Sequence, residues 1–210
     1  MRYFGGRLIA VPACGNALLF KRGWLFAGLL FLPMLILGAV LFIKSPELLK
    51  KRLDAKEKES TQKGAVALSG LLFLCGFLVA GLDHRFGWSH VPTWLVIAAS
   101  AVLLVSYALY AEVMRENAYL SRTVKVQEGQ KVIDTGMYRV VRHPMYAVTI
   151  WLFLAIPLVL GSWFSLICFA HYPIVIVIRI LNEEKVLEQG LEGYSDYKKR
   201  VKYRLIPFVW

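Results

Sequence analysis

The chain has 210 residues, of which 58% are hydrophobic and 19% are charged, and its formal net charge at pH 7 is +11. Its mean hydropathy of +0.55 is too high for an ordinary soluble domain of this length, which predicts an integral membrane protein. The positive charge does not call for a nucleic acid, because anionic lipid headgroups attract basic membrane proteins. We therefore expect membrane lipids, and no nucleic acid, among the partners.

Three stretches without charged residues are each long enough to cross a bilayer as one helix. They cover 24–43, 64–82 and 91–111. The apolar run 8–20 precedes them, and its short length predicts an interfacial or re-entrant segment. A cleaved signal peptide is the alternative, although no small-residue cleavage pattern follows the run.

A fourth uncharged run, 144–178, is 35 residues long. A straight helix of that length would reach roughly 52 Å at about 1.5 Å per residue, against a hydrocarbon core of about 30 Å. The run must therefore fold back, and Gly161–Ser162 is the natural break. We expect a helical hairpin with two arms of about 17 residues, within which Pro157 and Pro173 are tolerated.

Five spans place the two ends of the chain on opposite sides of the membrane. Of the Lys and Arg residues, 20 then lie on one side of the membrane and 5 on the other. The richer side is formed by 44–63, 112–143 and 179–210. The excess predicts that this richer side faces the cytoplasm. The predicted fold class is all-α: an integral membrane bundle of about five transmembrane helices, including a C-terminal hairpin, with a further cytoplasmic helix at the C-terminal end.

Several chemistries lack support in the sequence. Cys14, Cys75 and Cys168 are scattered and lie in apolar surroundings, and the chain has neither a CxxC nor an HExxH motif. We therefore expect neither a metal site nor a disulfide framework. The sequence also has no G-x-G, so a Rossmann-type phosphate turn is not expected.

Two polar clusters flank the predicted hairpin, at 139–143 and at 179–187. Each has a simple structural interpretation when taken alone: Arg142 and His143 suit a positively charged helix flank, and Arg179 and Glu183 suit an i,i+4 ion pair worth about 0.3 to 0.5 kcal/mol. The hairpin, however, brings both clusters to the same side of the membrane. That arrangement favours a shared polar site over two independent helix ends.

Three segments in order, GMYRVVRHPMY, RILNEEKVL and YSDYKKRVKYRLIP, resemble the isoprenylcysteine carboxyl methyltransferase family and its phospholipid methyltransferase relatives. The resemblance covers about residues 112–210, and it departs from the family at Ala147–Val148, where a small residue is usually followed by Gly. It implies an integral membrane enzyme that uses S-adenosyl-L-methionine. It also implies two parts: 1–111, with the first three spans, and 112–210, with the cofactor-binding and catalytic region.

The resemblance also implies roles for individual residues. Carried over by position, the cofactor contacts fall on Gln130, Lys131, Val132, Ile133, Gly136, Tyr138, His143, Pro144, Met145, Tyr146 and Glu183. Arg179 would face the acceptor. If the acceptor is a carboxylate no general base is needed, whereas a thiol or an amine needs one, for which Glu184 and His143 are the candidates.

The acceptor implied is the carboxylate of a prenylated cysteine or a similar small lipophilic molecule. Two other functions stay open: an NADPH-dependent, sterol-reductase-like membrane oxidoreductase, and a non-catalytic membrane lipid-binding protein. The basic, Tyr-rich segment 194–210 fits an interfacial helix on anionic lipid, a lid over the cofactor, or both.

Overall fold

The structure, a computed structural model, describes residues 20–53, 60–121 and 123–210. Within these ranges the secondary structure is helical and contains no strand, which confirms the all-α fold class. Residues 8–19 of the predicted interfacial segment, and Cys14 with them, lie outside the described residues.

The three predicted spans correspond to α1 (Lys21–Lys44), α3 (Ser60–Phe86) and α4 (Thr93–Glu116). All three are long and apolar enough to cross a membrane. Many of their large apolar side chains are exposed, as expected of helices that face lipid rather than water. A short helix, α2 (Pro46–Leu53), follows α1 and carries three basic residues in its last turn.

The hairpin turns at the predicted place. Its first arm is α5 (Pro144–Leu160), which ends at Gly161 in a left-handed conformation with φ +84°, as glycine readily allows. The 17 residues of α5 are apolar but fewer than in the four longer candidate spans of the described chain.

The second arm differs from the uninterrupted helix expected. It consists of α6 (Trp163–Phe169) and α7 (Tyr172–Gly190), separated at 170–171. Pro173 lies in the first turn of α7 instead of the helix interior, because its ring has no N–H and clashes with the carbonyl four residues earlier. The helix α7 continues through the charged segment that follows the apolar run.

The packed core lies between α4 and the hairpin. Leu103 from α4, Ile156 and Val159 from α5 and Phe169 from α6 are almost fully buried in one cluster. Gly76 on α3 lets Phe169 approach closely, since a Cβ at that position would lie 2.4 Å from the ring. This packing fixes the direction in which α5 and α7 leave the apolar region.

One end of the bundle is tied together by a buried carboxylate. Asp83, near the end of α3, accepts hydrogen bonds from the Ser89 backbone N–H at 2.7 Å and from the hydroxyls of Ser89 and Ser162. The α3–α4 connection is thereby attached to the hairpin turn. The other end, where α5 begins and α7 ends, holds the polar residues singled out in the sequence.

Two backbone hydrogen bonds close that polar end. After α7 the chain forms α8 (Tyr194–Arg200) and then turns back, so that the N–H groups of Arg142 and His143 donate to the carbonyls of Tyr203 and Arg204 at 2.9 Å each. Residues 201–210, which we call the C-terminal strap, therefore lie against the start of α5.

Candidate active site

A cavity opens at the polar end, between the segment after α4, the start of α5, the end of α7 and α8. Side chains from four parts of the chain line it: Asn117, Tyr119, Leu120, Ser121, Thr123, Val124 and Lys125; Gln130, Lys131, Val132 and Ile133; Tyr138, Arg142, His143, Met145 and Tyr146; Glu183, Leu187, Leu191, Tyr194 and Tyr197. Segments far apart in the sequence thus share one cavity beside the apolar hairpin.

Most of the residues assigned to the cofactor by resemblance meet here. Those that line the cavity are Gln130, Lys131, Val132, Ile133, Tyr138, His143, Met145, Tyr146 and Glu183. Four of the expected site residues are not in its lining: Gly136, Pro144, Arg179 and Glu184. The two polar clusters flanking the hairpin therefore form one site, although not every member faces the cavity.

The Tyr146 hydroxyl lies between two groups of opposite charge. It donates a hydrogen bond of 2.7 Å to Glu183 Oε2, and the Tyr146 hydroxyl oxygen accepts one of 3.4 Å from Arg179 Nε. The i,i+4 spacing of Arg179 and Glu183 on α7 puts them on one face of the helix. Glu183 lines the cavity, whereas Arg179 does not. The Tyr146 hydroxyl thus contacts a carboxylate inside the cavity lining and a guanidinium outside it.

Glu184, a candidate general base, does not line the cavity. Its carboxylate is buried and accepts from Arg142 Nε at 2.7 Å and from Arg204 Nε at 3.0 Å, with His143 Nε2 at 3.3 Å. Both oxygens are bound by charged or polar groups of the residues directly before α5 and of the C-terminal strap. The geometry therefore favours a structural role for Glu184, which holds these groups in place around the cavity.

Gly136 and Pro144 do not line the cavity but shape the backbone around it. Gly136 has φ +49°, and a Cβ there would lie 1.6 Å from a carboxylate oxygen of Glu116. That carboxylate accepts from the Met137 N–H at 3.2 Å, so the glycine lets α4 and the 3₁₀ turn Gly136–Arg139 meet. Pro144 is the first residue of α5, where its missing N–H costs no hydrogen bond.

Tyr138 is fixed by contacts at both ends of the residue. Asn117 Nδ2 donates to its hydroxyl at 2.9 Å, and Tyr197 donates to its carbonyl at 2.7 Å. Burial raises the pKa of Tyr138, because the phenolate would lose its hydration. The phenol therefore stays neutral at physiological pH and presents an aromatic ring and a hydroxyl to the cavity.

Sequence reasoning missed one wall of the cavity and part of another. Nothing in the motifs indicated the segment 117–125, because its residues are ordinary connector residues brought in by the end of α4. Tyr194 and Tyr197 stood in a Tyr-rich segment interpreted as an interfacial helix or a lid, and the structure places both rings against the cavity. Their i,i+3 spacing on a helix was the available signal.

The residues present fit S-adenosyl-L-methionine. That cofactor carries a sulfonium, an ammonium and a carboxylate, and the cavity offers the Glu183 carboxylate, several aromatic rings and an Arg142 side chain. Tyr194 contributes a buried hydroxyl with no hydrogen-bond partner among the described residues. A ligand that carries both positive and negative charges requires an anionic group, aromatic faces and hydrogen-bond donors in one site.

Fold and site thus define a helical integral membrane protein with a polar cavity at one end of an apolar hairpin. Within the chain, residues 93–192 match the phospholipid methyltransferase family, and this segment, just under half the chain, contains α4, the hairpin and most of the cavity. The match confirms the resemblance found in the sequence.

Two individual proteins are similar. The uncharacterized protein YpbQ of Bacillus subtilis (strain 168) is 32% identical over 97 residues, which are 46% of this chain and 57% of YpbQ; the matched region spans little more than half of that relative. The structure of the eukaryotic intramembrane Ras methyltransferase ICMT (isoprenylcysteine carboxyl methyltransferase) superposes with a TM-score of 0.58 at 16% identity, covering 90% of this chain and 75% of that one. The chain therefore has the ICMT-like helical membrane fold.

Proposed function

We propose that this protein is an integral membrane methyltransferase that uses S-adenosyl-L-methionine and acts on a lipophilic acceptor. The observation that carries the proposal is the Tyr146 hydroxyl, which contacts Glu183 on the cavity side and Arg179 on the other. A cationic donor and an anionic acceptor group need adjacent sites of opposite charge. The family match over 93–192 and the ICMT-like fold support the same reaction class.

On the cofactor side, Glu183 pairs with the ammonium, and the rings of Tyr138 and Tyr146 lie against the sulfonium or the adenine. Backbone groups of 130–133 contact the adenine edge. When bound, the cofactor supplies an electrophilic methyl group on a positively charged sulfur. The task of the protein is to hold the two reactants in line and exclude water, which the buried surroundings of Tyr138 and His143 favour.

On the acceptor side, the apolar hairpin admits a lipid-like chain and Arg179 holds the reacting group. Arg179 is partly buried, and its backbone carbonyl accepts from Gln62 Nε2 at 3.1 Å, which fixes this turn of α7. A guanidinium binds a carboxylate through two parallel hydrogen bonds, so the carboxylate of a prenylated cysteine is the preferred acceptor. For a thiol or amine acceptor, His143 is the base with access to the cavity.

Calorimetry on the purified protein tests the cofactor directly. We expect binding of S-adenosyl-L-methionine and of its demethylated product, and no binding of NADPH. Tight NADPH binding without S-adenosyl-L-methionine binding would replace this proposal with the oxidoreductase alternative. Transfer of a labelled methyl group to a prenylated cysteine then tests the acceptor, with a non-prenylated cysteine as the control; cofactor binding without transfer to any lipophilic acceptor would favour the non-catalytic alternative.

A further inference from the structure

Tyr194 is a buried tyrosine beside the cavity. The residue is 4% exposed and lines the cavity, and its hydroxyl lacks a hydrogen-bond partner among the described residues. Buried polar groups in native proteins are nearly always paired, because an unpaired one costs the loss of its hydration. A hydroxyl left unpaired beside a cavity is therefore placed to be satisfied by a ligand.

The ring of Tyr194 is held so that the hydroxyl has a fixed position. Gly193, with φ +80°, precedes it, and the Tyr194 N–H donates to the Leu191 carbonyl at 3.2 Å. Its ring packs in one cluster with Leu191, Tyr197 and Val201, the centre of the Tyr197 ring lying 5.8 Å away. A hydroxyl fixed in this way is organised for a ligand before the ligand arrives.

The charges around Tyr194 indicate which part of a ligand it meets. Near Tyr194, Arg142 and Arg204 both pair with the carboxylate of Glu184, and of these three residues Arg142 lines the cavity. The described hydrogen bonds of Arg142 use only Nε and Nη1. Glu183 supplies a negative charge to the same cavity. Burial and the neighbouring carboxylates raise the pKa of Tyr194, so the phenol keeps its proton and acts as a donor.

We propose that the Tyr194 hydroxyl donates a hydrogen bond to the carboxylate of a ligand with a zwitterionic amino-acid end, whose ammonium pairs with Glu183. Arg142, which lines the same cavity, supplies a positive charge that attracts this carboxylate. This inference rests on the proposed function, since the methionine part of S-adenosyl-L-methionine is such a group. It adds Tyr194 as the residue that recognises the carboxylate, a position that the carried-over motif does not include.

The test combines one substitution with one altered ligand. Calorimetry measures S-adenosyl-L-methionine and its decarboxylated form, which keeps the ammonium and lacks the carboxylate, on the wild type and on Tyr194→Phe. We expect Tyr194→Phe to weaken binding of the complete cofactor by about tenfold or more, the effect of losing a hydrogen bond to a charged group. Binding of the decarboxylated form should be the same in both proteins.

Tyr197→Phe is the matched control. Tyr197 is also buried and lines the cavity, but its hydroxyl is already bound to the Tyr138 carbonyl. Tyr197→Phe should lower the melting temperature, and its effect on binding should be the same for the two ligands. Tyr194→Phe, measured without ligand, should melt at the wild-type temperature or above. An equal loss for both ligands in Tyr194→Phe, or no loss, would overturn the inference while the proposed function stands. Failure of the wild type to bind the complete cofactor would overturn both.

Discussion

Tyr146 is the residue that connects the hairpin's first arm to two charged residues of its second arm. It comes from α5, yet its hydroxyl contacts Glu183 and Arg179 on α7. The i,i+4 spacing of those two residues predicted that they share a helix face, and the hairpin predicted that the RHPMY segment lies beside them. The sequence could not show that a phenol stands between the two charges, because that depends on how closely α5 and α7 approach.

The first prediction concerns Glu183. Glu183→Gln should weaken binding of S-adenosyl-L-methionine by about tenfold, because the amide still accepts from Tyr146 but no longer offers a charge to the ammonium. Calorimetry measures this, with Glu192→Gln as the control, since Glu192 is exposed and does not line the cavity. Unchanged affinity in Glu183→Gln would show that the cofactor's ammonium lies elsewhere.

The second prediction concerns Arg179. Arg179→Ala should reduce turnover on a carboxylate acceptor by about 10² or more while cofactor affinity changes little, because the lost guanidinium positions the acceptor and does not line the cofactor cavity. Steady-state kinetics and calorimetry on the same preparation separate the two effects. Arg179→Lys keeps the charge but not the forked geometry, so its turnover should lie between those of the wild type and of Arg179→Ala. Wild-type turnover in Arg179→Ala would exclude this role.

At the scale of elements, the C-terminal strap holds the site in place. Hydrogen bonds from Arg142 reach the carbonyls of Val201 and Lys202 at 2.7 and 2.9 Å, in addition to the two backbone bonds that join the strap to α5. The hairpin was predictable because its length exceeds the bilayer thickness. The position of the strap was not predictable. It is held mainly by contacts between backbone groups and residues about 60 positions away, and such contacts leave no pattern in side-chain type.

The third prediction tests the anchor of the strap. Glu184→Ala removes the carboxylate shared by Arg142, Arg204 and His143 and leaves buried guanidinium groups uncompensated, a loss of about 3 to 5 kcal/mol. We expect a lower melting temperature and faster trypsin cleavage within 198–204, since the strap detaches. Glu192→Ala should leave both unchanged. Wild-type resistance to trypsin in Glu184→Ala would mean that the backbone bonds suffice.

The fourth prediction compares two glycines with positive φ. Gly129 has φ +67° with no atom within 4 Å of a Cβ, whereas at Gly136 a Cβ would meet Glu116. Gly129→Ala should cost about 1 to 2 kcal/mol of conformational strain alone. Gly136→Ala should cost more, since Glu116 must also release the Met137 N–H. Denaturation in detergent measures the difference, and equal costs would contradict the proposed contact between α4 and the 3₁₀ turn.

For the whole molecule, length and hydropathy were sufficient to predict the spans and the hairpin turn. They did not predict the helix break at 170–171, which precedes the first turn of α7 with Pro173 in it, or the part of the cavity wall formed by residues of 117–125. Both depend on packing: the first on a local clash with the preceding turn, the second on where the end of α4 lies relative to α5. The expected side of the membrane rests on the distribution of Lys and Arg alone.

The fifth prediction concerns that orientation. The 20-to-5 division of Lys and Arg predicts that the cavity end faces the cytoplasm. In a cysteine-free background, a membrane-impermeant maleimide should label Arg85→Cys from outside intact cells and Lys199→Cys only in inverted vesicles; both residues are exposed at opposite ends of the bundle. The reverse pattern would place the site on the outer face.

The shortness of α5 bears on how a lipid-anchored acceptor reaches the site. Its 17 residues span only about 26 Å at 1.5 Å per residue, less than the roughly 30 Å thickness of hydrocarbon in a bilayer. Surrounding lipids must thin beside it, or its flanking side chains must extend to the headgroups. Thinning of this kind brings the level of the headgroups toward His143 and Tyr146. Under the proposed function, an acceptor whose polar end lies at the bilayer surface then reaches the cavity without leaving its leaflet.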